Sequence, residues 1–246
     1  MRCAWPLGKV ASVFERPRHQ GLAQVLLALD GPLLRENRCL FGGGTAMALR
    51  YGEYRESVDL DFLVSDVGGY RTLRQLLTGL QGIMTLVREN VAPLRQTREV
   101  RADQYGIRTM VQVADQPIKF EIILEGRIEL AAPASSDEVC GIATLTPLDM
   151  ATSKLLANSD RWGDDGVFSR DLIDLAMMSP PLGLLRQAVA KAEQAYGKSI
   201  LQDLEKAINR MQARHGWLER CMQTLAMSLP KARLWQKIRA LRRVLP

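Results

Sequence analysis

The sequence predicts an α/β (α+β) protein, with a mixed-sheet domain and a few helices over residues 1–145 and a helical domain over residues 146–246. Three observations carry that expectation. Apolar residues alternate with period two in "SVDLDFLV" (57–64), "IRTMVQVA" (107–114) and "IKFEIILEG" (118–126), while the stretches before and between them carry helical spacing. From Thr146 onward, every apolar stretch has helical spacing. Charge also divides the chain: residues 1–182 hold 20 Lys+Arg against 23 Asp+Glu, and residues 183–246 hold 13 against 4.

In chain order, "PRHQGLAQVLLALD" (17–30) is expected to form a helix and "RCLF" (38–41) a short strand. "TAMALRYG" (45–52) is expected to be a helix closed by Gly52. A strand over 57–64 precedes a helix over 68–80, and "MTLVREN" (84–90) opens a run of three further strands with polar or glycine-containing breaks. "TPLDMATSKLLAN" then starts with Thr146 as N-cap, Pro147 at the first helical position and Asp149 three residues after the cap, a capping-box start with Asp in place of Glu. "FSRDLIDLAMM" is a second helix, stopped by Pro180 and Pro181. Residues 182–197, 200–229 and 231–245 continue the helical pattern to the end.

Composition narrows the class. The 246 residues are 47% hydrophobic and 24% charged, which is ordinary for a globular protein. No apolar run approaches bilayer length, and the first residues lack a continuous apolar core of the kind that directs secretion. Cys3, Cys39, Cys140 and Cys221 are scattered without a C-x-x-C pair, the pattern of reduced thiols rather than of a disulfide frame or zinc site. A cytoplasmic location is expected. The net +6 charge comes entirely from residues 183–246, and a basic surface of that kind attracts polyanions. A solvated face of an Arg-rich helical protein would have the same composition.

The stretch "FGGGTAMALRYGEYRESVDLDFLV" (41–64) carries the chemistry. On a strand, Asp59 and Asp61 point to one face, with Val58, Leu60, Phe62 and Val64 on the other, toward the core. Two like charges about 7 Å apart repel, and a divalent cation relieves that. Mg²⁺ takes hard carboxylate oxygens and completes its shell with water and substrate phosphates, an arrangement suited to phosphoryl and nucleotidyl transfer. A D-x-D pair alone is weak, because two solvated aspartates on an edge strand are common. A glycine corner alone is weak too, and this one matches neither G-x-x-x-x-G-K-[ST] nor G-x-G-x-x-G. Together they gain force. A Gly-Gly-Thr turn entering a helix offers backbone N–H groups to an anion, and the thirteen residues between Thr45 and Asp59 allow one short helix and a return to an adjacent strand.

"GGGTAMALRYGEYRESVDLDF" resembles the G-G-[ST]…R-x-S-x-D-x-D signature of the DNA polymerase β-like nucleotidyltransferases. More closely, it is similar to the AbiEii/AbiGii group, the toxin half of type IV abortive-infection toxin–antitoxin systems. The resemblance implies that Gly43, Gly44 and Thr45 cradle a triphosphate and that Asp59 and Asp61 hold Mg²⁺. It also implies that Ser57 lies against the nucleotide with Arg55 close by. The third glycine, Gly42, is a departure from the signature.

Further candidates lie downstream. Such an enzyme usually has a third carboxylate on a neighbouring strand. In "PIKFEIIL", Ile118, Phe120 and Ile122 share one face and Lys119, Glu121 and Ile123 the other, so Glu121 points either at the site or at solvent. Residues 1–182 contain seventeen arginines but only three lysines, Lys9, Lys119 and Lys154. On the helix from Thr146, Leu148, Ala151, Thr152, Leu155 and Leu156 form the core stripe, and Met150, Lys154, Ala157 and Arg161 another face. That second face is either solvated or offers two cations to a triphosphate. "SKLLANSDRWGDDGVFSRDLIDL" is similar to the group's K…R-D-x-x-D-L segment, which implies that Lys154 and Asp171 complete the site. Asp174 is then a structural candidate, and Asp164 and Asp165 belong to a loop. His19 and His215 are too far apart in sequence to favour a histidine triad or zinc site, and Trp217 and Trp235 fit core packing better than base stacking.

The expected activity is transfer of a nucleoside monophosphate from an NTP to an acceptor with release of pyrophosphate. The basic segment motivates RNA as acceptor, and the resemblance implies a tRNA 3′ end and a cognate antitoxin protein, with no membrane involved. The alternatives are the same chemistry on a protein or small-molecule hydroxyl, and a non-catalytic nucleotide- or nucleic-acid-binding module.

Overall fold

A computed structural model describes residues 14–89 and 94–246. The chain divides into two compact units: one holds the residues up to Glu53 together with Ser57–Thr144, the other Tyr54–Glu56 together with Leu145–Pro246.

The first unit opens with α1 (Pro17–Ala28), started by Pro17 and packing Leu22, Val25 and Leu26 inward, and with α2 (Gly31–Glu36), whose N-cap Asp30 accepts from Leu33 N at 3.0 Å. Then follow β1 (Leu40–Gly42), α3 (Gly43–Arg50), β2 (Leu60–Val64) and α4 (Val67–Leu77). Four more strands, β3 (Arg95–Gln96), β4 (Arg101–Ala102), β5 (Gly106–Val113) and β6 (Gln116–Leu124), complete a six-stranded sheet ordered β1-β2-β6-β5-β3, with β4 also paired to β5. β2 and β6 run parallel and the other pairs antiparallel, so the sheet is mixed. Leu60, Phe62 and Val64 on β2 and Ile118, Phe120 and Ile122 on β6 are all nearly or fully inaccessible. The rings of Phe41, Phe62 and Phe120 form a row across three strands, with centroids 5.4 and 5.2 Å apart, and this apolar face fixes the register. A separate hairpin joins β7 (Glu138–Val139) to β8 (Ile142–Ala143).

Residues 84–89 do not form the strand predicted over 84–90. Gly82 takes a left-handed φ of +54°, and Gly82–Leu86 wind into a 3₁₀ helix, followed by a single bridge between Val87 and Leu29. The buried residues there, Ile83 and Leu86, are three apart, which is one 3₁₀ turn rather than a strand repeat. Asn90, the end of that stretch, lies outside the described residues.

The second unit is helical. α5 (Pro147–Arg161) begins as its sequence predicts, with Thr146 Oγ1 accepting from Asp149 N at 3.1 Å. It packs against α6 (Arg170–Met178), α7 (Leu182–Tyr196) and α8 (Ser199–Ala213), and α10 (Lys231–Ala240), with Leu234 and Ile238 buried, packs against α6. The continuous pattern over 200–229 is interrupted. Gly216, at φ +74°, separates α8 from α9 (Trp217–Thr224). No helix among the described residues is long and apolar enough to cross a membrane.

Candidate active site

The glycine corner and the second aspartate meet directly. β1 pairs with β2 so that Gly42 lies opposite Asp61, and the chain then enters α3 at Gly43 with φ +65°. A Cβ on Gly43 would sit 2.8 Å from Asp61 Cβ and overlap its carboxylate. Glycine is needed there for the backbone angle and for the space. Gly43, Gly44 and Thr45 form the first turn of α3, whose N–H groups have no partner within the helix, so the positive end of the helix lies against Asp61.

Thr45 is 1% exposed and faces the other part of the motif. Its hydroxyl donates to the Asp59 carbonyl and is hydrogen-bonded to Ser57 Oγ at 2.7 Å. Thr45 therefore ties the segment Ser57–Asp59 to the start of α3. Asp59 itself precedes β2, which starts at Leu60, so strand alternation governs Asp61 alone. Val58, expected on the core face, is 39% exposed, because the chain is not yet in the sheet at that position.

Glu121 is the register partner of Asp61 on the parallel neighbour β6, one strand spacing away and on the same face. Two cations flank it: Arg108 Nε at 3.0 Å from Oε1 and Lys119 Nζ at 2.6 Å from Oε2. Among the described residues no group of three or more His, Cys, Asp or Glu side chains is arranged to hold a metal ion. The donor chemistry still fits Mg²⁺, which commonly takes one or two carboxylates and fills the rest of its shell with water and phosphate.

The second unit contains a buried ionic network. Asp174, fully buried, accepts from Arg55 Nε at 2.7 Å, Arg55 Nη2 at 2.9 Å and the Tyr54 hydroxyl at 2.6 Å, and pairs with Lys154 Nζ at 2.7 Å. Lys154 also reaches Asp171 Oδ1 at 3.1 Å, and Asp171 takes a two-point contact from Arg161 at 2.6 and 3.0 Å. Lys154 is 6% exposed, so the face that it shares with Met150 is interior. The expected choice between solvent and triphosphate is replaced by carboxylate partners for both Lys154 and Arg161. Burial alone would raise the Asp174 carboxyl, but Arg55 and Lys154 outweigh it and hold the group well below the usual carboxylate range. Asp171 is lowered in the same way, against burial, by Lys154 and Arg161. Arg55 is 3% exposed and committed to Asp174 and the Glu56 carbonyl.

The structure thus gathers Gly43, Gly44, Thr45, Ser57, Asp59, Asp61 and Glu121 in the first unit, and Arg55, Lys154, Asp171 and Asp174 in the second. Three residues escape sequence reasoning. His215 is too distant in sequence to make His19 a candidate, and Glu53 has no motif to mark it. His19, with no exposed surface, bonds Glu53 Oε1 through Nδ1 at 2.7 Å and accepts from the Ser57 amide through Nε2 at 3.2 Å. Tyr54 likewise gives no signal. Trp217 is in the core at 2% exposure, as expected, and Asp165 pairs with Arg210 and Arg214.

The family model of the AbiEii nucleotidyl transferase toxin of type IV toxin–antitoxin systems matches residues 28–240. The chain belongs to this family. Two solved structures share the fold. One is described as "putative nucleotidyltransferase from H. pylori", with 17% identity, a TM-score of 0.51, and 92% of this chain and 94% of that one covered. The other is JHP933 from Helicobacter pylori, with 16% identity, a TM-score of 0.53 and 94% of each chain covered. No curated protein matches the sequence. The mixed α/β architecture is accordingly that of a nucleotidyltransferase, and membership of the AbiEii family makes a nucleotide the substrate and an antitoxin the partner.

Proposed function

We propose that this AbiEii protein is a Mg²⁺-dependent toxin that transfers a nucleoside monophosphate from an NTP to a tRNA. The acceptor hydroxyl oxygen bonds to the α-phosphorus, the bond to the bridging oxygen of the β-phosphate breaks, and pyrophosphate leaves while the hydroxyl proton is released. The observation that carries this reading is the seating of Asp61 against Gly43 at the positive end of α3, with the Asp59 carbonyl fixed by Thr45. Asp59 and Asp61 would hold Mg²⁺, which supplies charge neutralisation and orientation when bound. The N–H groups of Gly43 and Gly44 bind phosphate oxygens, and Ser57 lines the nucleotide. Glu121, balanced by Arg108 and Lys119, shapes the charge beside Asp61. Within the second unit Lys154 is held by Asp171 and Asp174, and Arg55 by Asp174.

RNA as the acceptor is supported by the end of the chain. Residues 220–246 contain no Asp or Glu and seven Lys or Arg. Among the described residues, the exposed side chains of Arg233 and Arg239 form no ion pair. Incubation with total tRNA, Mg²⁺ and each labelled NTP tests the proposal. Label is expected in tRNA, and Asp61→Ala abolishes it. Label entering a protein band instead would reassign the acceptor, and transfer unaffected by Asp61→Ala would overturn the mechanism.

A further inference from the structure

We propose that His19 is a positioning residue for nucleotidyl transfer, holding the Ser57–Asp59 segment through a single tautomer of a fully buried imidazole. The inference rests on the preceding reading for its activity measurement and on geometry for the rest. The Ser57 amide points at Nε2 with an N···N distance of 3.2 Å. An amide N–H only donates, so Nε2 carries a lone pair and no proton. The remaining proton of the neutral ring is then on Nδ1, which donates to Glu53 Oε1 at 2.7 Å.

Glu53 is itself fixed. Its carboxylate accepts from Glu15 N at 2.7 Å and from Arg16 N at 3.2 Å, at the start of α1, which has no side-chain cap of its own. Burial would raise its pKa, but these amides and His19 hold it below the ordinary glutamate value. It stays an anion and fixes the Nδ1–H tautomer.

The consequence reaches the aspartates. Ser57 is bonded to Thr45, and Thr45 to the carbonyl of Asp59, so the Ser57 amide is a second fixed point of the segment that delivers Asp59. Glu53 and Ser57 also bound the three residues, Tyr54–Glu56, that belong to the second unit. One imidazole therefore holds the chain on both sides of that excursion.

Two substitutions separate the two nitrogens. His19→Gln can bring a carbonyl oxygen to the place of Nε2 and accept from Ser57. His19→Asn is shorter and reproduces only the Nδ1–H. With folding checked by circular dichroism and thermal melting, His19→Asn and His19→Ala are expected to lose about tenfold or more in kcat/KM, and His19→Gln to stay within about threefold of wild type. A merely structural histidine would not produce that order. Folded His19→Asn or His19→Ala with wild-type activity, or His19→Gln no better than His19→Asn, would overturn the proposal. ¹⁵N NMR of the wild-type ring reads the tautomer without any variant: a proton on Nδ1 and none on Nε2 is expected, and the reverse tautomer or an imidazolium at assay pH overturns it. If the wild type transfers no nucleotide to any acceptor, the preceding reading fails, and the NMR result alone decides whether His19 holds Ser57 as described.

Discussion

Gly43 answers to two requirements at one position, a left-handed backbone angle and the absence of a Cβ beside Asp61. Gly43→Ala is expected to cost about 1–2 kcal/mol from the backbone alone and to displace the Asp61 carboxylate. The expected result is a lower melting temperature, together with a loss of transfer activity larger than the loss of stability explains. Asp174 works differently, because its hydrogen-bond partners are all donors. Asp174→Asn leaves Arg55 without its buried counter-ion and Lys154 with Asp171 alone, and is expected to destabilise the protein by about 3–5 kcal/mol, measured by urea unfolding. The sign of the pH effect follows from the lowered carboxyls of Asp171 and Asp174. Their stabilisation is complete above the ordinary aspartate value of 3.8 and is lost as pH falls toward their lower folded values. The urea midpoint should therefore fall on acidification below about pH 4, and less steeply in Asp174→Asn. At this scale Asp61 and Gly43 were legible because strand alternation and glycine corners leave marks in the sequence. His19 and Glu53 left none, since their roles depend on partners 34 and 38 residues away.

β2 and α5 show why elements were easier to recognise than their faces. The alternation of Leu60, Phe62 and Val64 gives the strand, and the register of β6 puts Glu121 opposite Asp61, one of the two orientations that its sequence left open. Alternation says nothing about where pairing begins, however, and the chain is still outside the sheet at Val58 and Asp59. The start of α5 follows local rules. Thr146→Ala removes the bond to the Asp149 amide, and about 1 kcal/mol of stability should go with it in thermal or urea unfolding, without a change in the acceptor used. The burial of Lys154 was beyond helical periodicity, which treats a lysine as a surface residue. Its carboxylate partners come from α6, and only tertiary structure brings them to it. The 3₁₀ turn over Gly82–Leu86 escapes prediction for a related reason, because short apolar runs fit several local geometries.

Charge is the property of the whole molecule that sequence reports most directly, since it needs no folding to be counted. Its arrangement is sharper than the totals, because residues 220–246 hold cations without a single Asp or Glu. If that segment binds RNA phosphates, affinity should fall linearly on a log–log plot against salt, and Arg233→Gln with Arg239→Gln should flatten the slope by roughly one for each phosphate no longer neutralised. Fluorescence anisotropy with labelled tRNA over a salt series measures this. Unchanged slopes would remove these two arginines from the interface. The discontinuous second unit has a different consequence, for inheritance and for cloning. Because Asp174 is capped by Tyr54 and Arg55, a gene fragment starting near codon 145 encodes a helical bundle deprived of two of its own internal residues. Recombination at that junction would separate a carboxylate from the guanidinium that neutralises it, so the two halves are expected to pass between genomes as a single indivisible cassette.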